Sequence, residues 1–475
     1  MLEKKEFYIN GAWVAPATAN DYAVINPSTE EQCAVISLGG QADTDAAVAA
    51  ARAAFDSWSQ TSKEERTRLI EKLKEVYIAR QEEMAQAMSQ EMGAPIDLSR
   101  AQQVGAGSWH IDGFLKAFED FSFERDFTSS EKTLLEPIGV CALITPWNWP
   151  MNQIILKAIP AMATGCTVIL KPSEIAPLSG VLFAEFVHEA GFPAGVFNLV
   201  NGDGPGVGSQ LSSHPEVDMV SFTGSTRAGI AISKAAADTL KRVSLELGGK
   251  GANVIFEDAH PKAAKAGAIR CFRNSGQSCN APTRMLVHKS RYDEAVEMAA
   301  DVATNTHVGP ASEEGKHIGP VVSEAQFNKI QGLIEKGMSE ARLVAGGLGR
   351  PDGLNRGYYV KPTVFADVTN DMTIAQEEVF GPVLSIIPFE TEEEAIAIAN
   401  DTPYGLTNYI QTEDTEKRRR VARRLRSGMV ETNGQGFAMG SPFGGYKQSG
   451  NGREGGVFGL EEFLEVKAVS GWAAE

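Results

Sequence analysis

From Gly139 onward the chain alternates short, continuous apolar runs with helix-like stretches. GVCALITPW is stopped by a turn, ILKAIPAMATG has the texture of a helix, and CTVILKPSE is a second apolar run ending in lysine, proline and glutamate. A helical stretch over Leu178–Ala190 and a third run, VFNLVNG, follow. This spacing is that of βαβ units in a parallel, doubly wound sheet, so the fold class is α/β. Such sheets bind ligands beyond the carboxyl ends of their strands. Asn148, Lys171 and Glu174 each stand just past a predicted strand and are therefore candidates. A lysine or glutamate at a proline-rich strand end is as readily a solvated surface group, so neither decides anything alone.

The next unit, Val217–Ile232, places Gly224, Thr226 and Gly229 as GxTxxG at the start of a helix. Free backbone N–H groups and the positive end of the helix dipole hold phosphate at such a point. Glu174 on the neighbouring unit suits ribose hydroxyls and repels a 2′-phosphate, which favours NAD over NADP. In VSLELGGK one glutamate, Glu246, is embedded in an apolar strand before two glycines. Buried there it would be desolvated and its pKa raised toward that of a general base; turned to solvent it would do nothing. Cys279 lies in the small, polar loop NSGQSCNAPTR, where Gly276, Gln277, Ser278 and Asn280 leave room for a substrate to approach sulfur. A loop cysteine is more often inert than reactive, because environment decides reactivity. Together, a buried carboxylate, an open thiol and a nicotinamide-type site describe thiol-dependent oxidation of an aldehyde.

Around this centre the elements are more ordinary. YINGAW places Asn10-Gly11 between apolar residues and predicts a hairpin. Thr44–Trp58 and Ser62–Glu91 carry apolar residues three and four apart and predict amphipathic helices, with three or four helices up to Phe118. Phe121–Pro137 and the tail FLEVKAVSGW both alternate apolar and polar residues, as strands do.

The chain of 475 residues is too long for one core and calls for two or more lobes. Its 61 acidic against 44 basic side chains give a net charge of −17, which repels nucleic acid and anionic membrane surfaces. No apolar run reaches the about eighteen residues of a membrane span, and MLEKKEFYIN has no apolar core of signal-peptide length, so no signal peptide is expected. Five scattered cysteines without a CxxC pair argue against a disulfide framework or a metal site, and make the cytoplasm the expected compartment.

Seven segments, TPWNWP (145–150), KPSE (171–174), FTGST (222–226), LELGGK (245–250), GQSC (276–279), EEVFGP (377–382) and SPFGGYKQSG (441–450), together resemble the NAD(P)-dependent aldehyde dehydrogenase family in order and spacing. The resemblance implies two doubly wound α/β domains and a small β element for oligomerisation. A cofactor-binding domain would take 1–120 and 138–247, a catalytic thiol domain 248–445, and the oligomerisation element 121–137 and 446–475. Homodimers or homotetramers are the family habit.

The same resemblance implies roles. Cys279 would attack the aldehyde, with the oxyanion held by the Asn148 amide and the Cys279 N–H. Glu246 would activate the hydrolytic water, and Lys157 with Glu454 would pass protons to solvent. Acylating members generally lack a glutamate at the position of Glu246, so hydrolysis to the free acid is implied. Thr145, Trp147, Lys171, Ser173, Glu174, Gly204, Thr223, Gly224, Ser225, Leu247, Glu378 and Phe380 would bind the cofactor. Trp149, Ser278, Asn280 and the segment 433–440, with Gln435, Phe437 and Met439, would wall the substrate tunnel. Trp149 replaces the commoner phenylalanine. These aromatic and thioether groups suit an apolar or aromatic aldehyde. A semialdehyde stays open if an arginine such as Arg100 enters from the helical region. A cysteine hydrolase would need a histidine beside Cys279, and a non-catalytic scaffold of the same fold remains a further alternative.

Overall fold

The computed structural model describes residues 2–472. Its first sheet has eight strands, in the spatial order Gly450–Asn451, Arg242–Glu246, Met219–Thr223, Val140–Ile144, Thr167–Lys171, Phe197–Leu199, Phe7–Ile9 and Ala12–Val14. The five from Arg242–Glu246 to Phe197–Leu199 are parallel. Four of these, Val140–Ile144, Thr167–Lys171, Phe197–Leu199 and Met219–Thr223, are buried at every residue, which explains the apolar runs of the first two. Chain order reverses direction between Val140–Ile144 and Met219–Thr223. That switch point opens a crevice beyond Ile144 and Thr223.

The predicted hairpin at Asn10-Gly11 forms, with both residues at positive φ (53° and 77°), and adds two antiparallel strands to one edge. The predicted helices appear as Gln41–Ser59, Lys63–Ala79, Gln81–Met92 and Val104–Glu119. One sheet was not anticipated: Leu2–Lys4, Glu31–Ser37 and Asp21–Asn26 pair together. Asn26-Pro-Ser-Thr-Glu30 between them is a turn signal, but the flanking strands alternate too weakly to be read.

The second sheet has seven strands, ordered Arg342–Ala345, Thr363–Ala366, Val383–Phe389, Arg284–His288, Ala252–Ile255, Thr407–Gln411 and Met429–Thr432, all parallel save the first. The chain leaves the first sheet at Glu246 and enters the second at Ala252. The carboxyl end of one strand thus leads, within six residues, to the amino end of another. Cys279, which precedes Arg284–His288, lies at that same amino edge: a Cβ on Gly249 would stand 2.5 Å from the Cys279 carbonyl oxygen.

Glu124–Asp126, Glu131–Pro137 and Leu464–Ser470 make a three-stranded antiparallel sheet in which seven residue pairs join the last two. The segment 446–475, expected to belong wholly to this element, is divided. Gly450–Asn451 pairs with the first sheet, and Gly456–Glu461 packs against the helices Val104–Glu119 and Pro150–Thr164. The alternating pattern begins only at Leu464, which is why the division was hidden. Residues 473–475 of that call lie outside the described residues.

Candidate active site

The loop that carries Cys279 takes an unusual backbone course. Asn274, Ser275 and Gly276 all have positive φ (53°, 56° and 72°). Glycine is required at the third position, since a Cβ there would stand 2.0 Å from the Gly381 carbonyl oxygen. The non-glycine residues are held by hydrogen bonds: Ser275 Oγ donates to the Gly319 carbonyl (2.7 Å), and Asn274 Nδ2 donates to the Asn148 carbonyl (3.0 Å). Gln277 accepts from the Val322 N–H at 2.9 Å. The loop is therefore wired to two other segments, at Asn148 and over residues 319–322, before it reaches the half-buried Cys279.

Asn148 ends the turn after Val140–Ile144 and is buried. Its backbone carbonyl accepts from Gln103 Nε2 (3.1 Å) as well as from Asn274, while its own Nδ2 donates to the Gln277 carbonyl at 3.0 Å. One amide hydrogen is so engaged, and Asn148 lines the same cleft as Cys279. Burial, then the carboxylates of Glu378 and Glu246, push the Cys279 thiol up to about 12, so it stays protonated at neutral pH in this state.

Glu246 is buried at the end of its strand, with neither carboxyl oxygen hydrogen-bonded. Desolvation, then the neighbouring Glu454, hold its pKa well above the ordinary range. Lys157 and Glu454 form a buried ion pair. Glu454 is fixed by backbone pairing with Phe443 in both directions, and its second oxygen is without a partner. Orphaned oxygens on Glu246 and Glu454 mark a buried polar region that protein groups alone leave unsatisfied.

A cleft of about 200 Å³ opens at the switch point, lined among others by Trp147, Thr223, Gly224, Ser225, Leu247, Gly248, Glu378 and Phe380 together with Asn148 and Cys279. Glu378 Oε1 accepts from the Gly249 N–H at 2.7 Å, and a Cβ on Gly248 would stand 2.4 Å from its other oxygen, so the cradle depends on glycine. Trp147 and Phe380 meet edge to face at 5.4 Å. Ser225 caps the helix Thr226–Ala236 by accepting from the Ala228 N–H, and its side chain is thereby partly committed. A second cavity of about 400 Å³ runs between that helix and Gly204, Gly208 and Ser209. Lys171 Nζ is buried, donating to the Pro172 carbonyl (2.8 Å) and lying 3.5 Å from Glu174. Thr145 and Ser173 are buried, and neither they nor Lys171 and Glu174 line either cleft.

On the substrate side, Trp149 Nε1 donates to Ser278 Oγ at 2.8 Å. Gln435, Phe437 and Met439 stand on an exposed loop and do not line the cleft that contains Cys279. Arg100 does not enter: its guanidinium is occupied at the surface by Glu82 and Glu314. No histidine lines the Cys279 cleft among the described residues.

The family model for the aldehyde dehydrogenase family matches residues 13–469. The chain belongs to the aldehyde dehydrogenase family. Like its relatives, this aldehyde dehydrogenase is an oxidoreductase that takes an aldehyde to the acid with a nicotinamide cofactor. It is 52% identical to a 3-succinoylsemialdehyde-pyridine dehydrogenase of a Pseudomonas species, over 99% of each chain. The aldehyde dehydrogenase structure from Bartonella henselae superposes with a TM-score of 0.99 at 58% identity, covering 99% of this chain and 100% of that one. A mutant aldehyde dehydrogenase C from Pseudomonas syringae, solved with NAD+ and octanal, gives 0.98 at 50% identity, with 99% and 97% covered.

Sequence reading of this aldehyde dehydrogenase missed Gln103 and Asn274, which grip the Asn148 carbonyl, and Gln326 and Lys329, which line the cleft. Lys329 donates to the Glu378 carbonyl and Gln326 to that of Phe380. Both sit on the polar side of an amphipathic helix, Glu324–Glu340, where no local pattern separates them from solvated neighbours. No helix among the described residues is long and apolar enough to cross a membrane, and no group of three or more His, Cys, Asp or Glu side chains there is placed to hold a metal.

Proposed function

We propose that this enzyme oxidises an apolar or aromatic aldehyde with NAD and releases the free acid. The observation that carries the reading is the single cleft in which Asn148, Cys279, Leu247, Glu378 and Phe380 meet at the switch point of the first sheet. The Cys279 thiol gives its proton to Glu246, its sulfur bonds to the aldehyde carbon, and the resulting oxyanion takes hydrogen bonds from the free Asn148 amide hydrogen and the Cys279 N–H, worth about 3 kcal/mol for one such donor. NAD, when bound, supplies the two-electron oxidant that turns this thiohemiacetal into a thioester. Glu246 then takes a proton from water as the water attacks the thioester, and Cys279 leaves as the thiolate. Lys157 and Glu454 carry each proton outward.

The clefts fit the dinucleotide. Glu378 and Phe380 hold the nicotinamide end, and Thr223, Gly224, Ser225 and the helix behind them hold the pyrophosphate. Lys171, Glu174 and Gly204 hold the adenosine end. The carboxylate of Glu174 disfavours a 2′-phosphate, and the NAD+ bound to the Pseudomonas syringae relative agrees. That relative's octanal and the pyridine ring in the name of the Pseudomonas relative's substrate both favour an apolar or aromatic aldehyde.

The hairpin over 121–137 and the strand Leu464–Ser470, where Phe127 and Val466 are 73% and 70% exposed, serve a homodimer or homotetramer in the cytoplasm. The test is formation of reduced nicotinamide with aliphatic, aromatic and carboxylated aldehydes, with NAD and NADP in parallel. A higher kcat/KM for a carboxylated semialdehyde, or for NADP, overturns the corresponding part of the reading.

A further inference from the structure

Beyond Trp149 the chain turns polar. The helix Pro150–Thr164 is capped by Trp149, whose indole reaches Ser278 beside Cys279. Residues 149, 152, 153 and 156 share one face of that helix, being three, four and seven apart. The two in the middle are Asn152 and Gln153. Gln153 is buried, and its carbonyl oxygen has no partner. Asn152 is half-buried, and His110 from the helix Val104–Glu119 meets it, with Nε2 and Oδ1 2.7 Å apart.

The same helix reaches the exposed loop on the other side. A Cβ on Gly113 would stand 3.1 Å from Met439 Cγ, and Trp109, 38% exposed, packs edge-on against His110 at 4.9 Å. The helix Val104–Glu119 thus meets Asn152 through His110 and approaches Met439 at Gly113.

Burial lowers the His110 pKa to about 4, so the imidazole is neutral at physiological pH. With Nε2 donating to Asn152, Nδ1 remains an acceptor and the Asn152 amide a donor. The pair presents one donor, one acceptor and no charge. A carboxylate placed against it would be desolvated without a counter-charge.

We propose that His110 and Asn152 are specificity-determining residues that bind a neutral hydrogen-bonding group on the aldehyde, a keto oxygen, hydroxyl or ring nitrogen several bonds from the reacting carbon. The inference rests on the reading of Cys279 as nucleophile and Trp149 as tunnel wall. Its test is kcat/KM with NAD for four aldehydes of equal chain length: octanal, a keto-substituted and a hydroxyl-substituted analogue, and the terminal carboxylate. The keto and hydroxyl compounds should exceed octanal by about tenfold, and the carboxylate should fall below it. Asn152→Leu and His110→Phe should each bring that preference to within about twofold, and His110→Gln should restore part of it. Turnover of octanal as efficient as that of its polar analogues in the wild type, or a preference that survives both variants, overturns the inference while leaving the proposed function intact. Silence with every aldehyde overturns the proposed function and the inference with it.

Discussion

Trp149 Nε1 donates to Ser278 Oγ at 2.8 Å, tying the residue after Asn148 to the residue before Cys279. A phenylalanine at 149 has no donor and leaves the two loops joined only through Asn148 and Asn274. Trp149→Phe removes one neutral hydrogen bond, so kcat/KM for a long aldehyde should fall by about fivefold, near 1 kcal/mol. A short aldehyde that does not reach the indole should lose less. Steady-state rates across an aliphatic series check this, and an equal loss at every chain length would show that the bond shapes the nucleophile loop and not the wall.

The Cys279 thiol, pushed up to about 12, carries a second prediction. Alkylation by iodoacetamide in the ligand-free enzyme should rise about tenfold per pH unit between pH 7 and 10 with no plateau, because only the thiolate reacts. Peptide mapping identifies the labelled cysteine. Levelling near pH 9, the range of an ordinary thiol, would contradict the electrostatic picture of a site ringed by Glu378 and Glu246. Cys279→Ala should abolish NAD reduction and leave NAD binding nearly intact.

Glu246 acts as a base only when ionised, and its pKa is raised, first by burial and then by Glu454. The kcat profile should therefore climb with pH on an acid limb displaced upward from the ordinary carboxyl range. Glu246→Gln should erase that limb and lower kcat by about 100-fold, while a burst of reduced nicotinamide survives because deacylation is slowed more than acylation. Rapid-mixing kinetics separate the two phases; loss of the burst together with kcat would make acylation the step that depends more on Glu246.

Much of this was legible before the structure. Parallel strands buried on both faces leave apolar runs, so Val140–Ile144 and Thr167–Lys171 announced themselves, and Asn148, just past the first, lines the cleft. Glu246 stood out as a lone charge in such a run. What stayed hidden was set by contacts distant in sequence. Gln103 lies 45 residues from Asn148, whose carbonyl it holds. Lys329 joins Glu378 across the cleft from a helix of ordinary amphipathic pattern. Glu454 was paired with Lys157 through the family resemblance alone, and its backbone pairing with Phe443, which holds it out of the tail sheet, was not legible.

Gly276→Ala should be among the most damaging single changes. The new Cβ would stand 2.0 Å from the Gly381 carbonyl oxygen, at a φ of 72° that alanine adopts only with strain. Displacing that loop moves Cys279 on one side and Phe380 on the other. A stability loss of about 3 kcal/mol is expected, with catalysis lost beyond what the residual folded fraction explains. A thermal midpoint equal to wild type would mean that the loop relaxes freely.

Glu91 links stability to pH. It is fully buried, and its carboxyl oxygens accept from the Leu178 and Ser179 N–H groups at 2.5 and 3.1 Å, capping the helix that follows the Lys171–Glu174 turn. Burial outweighs those hydrogen bonds and raises its pKa from 4.5 to about 7. The folded state therefore binds this proton more tightly than the unfolded state. The stability it contributes is fully present below about pH 4.5 and is lost as pH rises through about 7, a swing of about 3 kcal/mol. Glu91→Gln cannot ionise and should show no such loss from this position. The difference in thermal midpoint between wild type and variant, followed from pH 5 to pH 8, should accordingly turn against the wild type as pH rises. A difference that stays flat, or one that turns toward the wild type, would mean that the ionised carboxylate is the better cap and that its hydrogen bonds to Leu178 and Ser179 outweigh its burial.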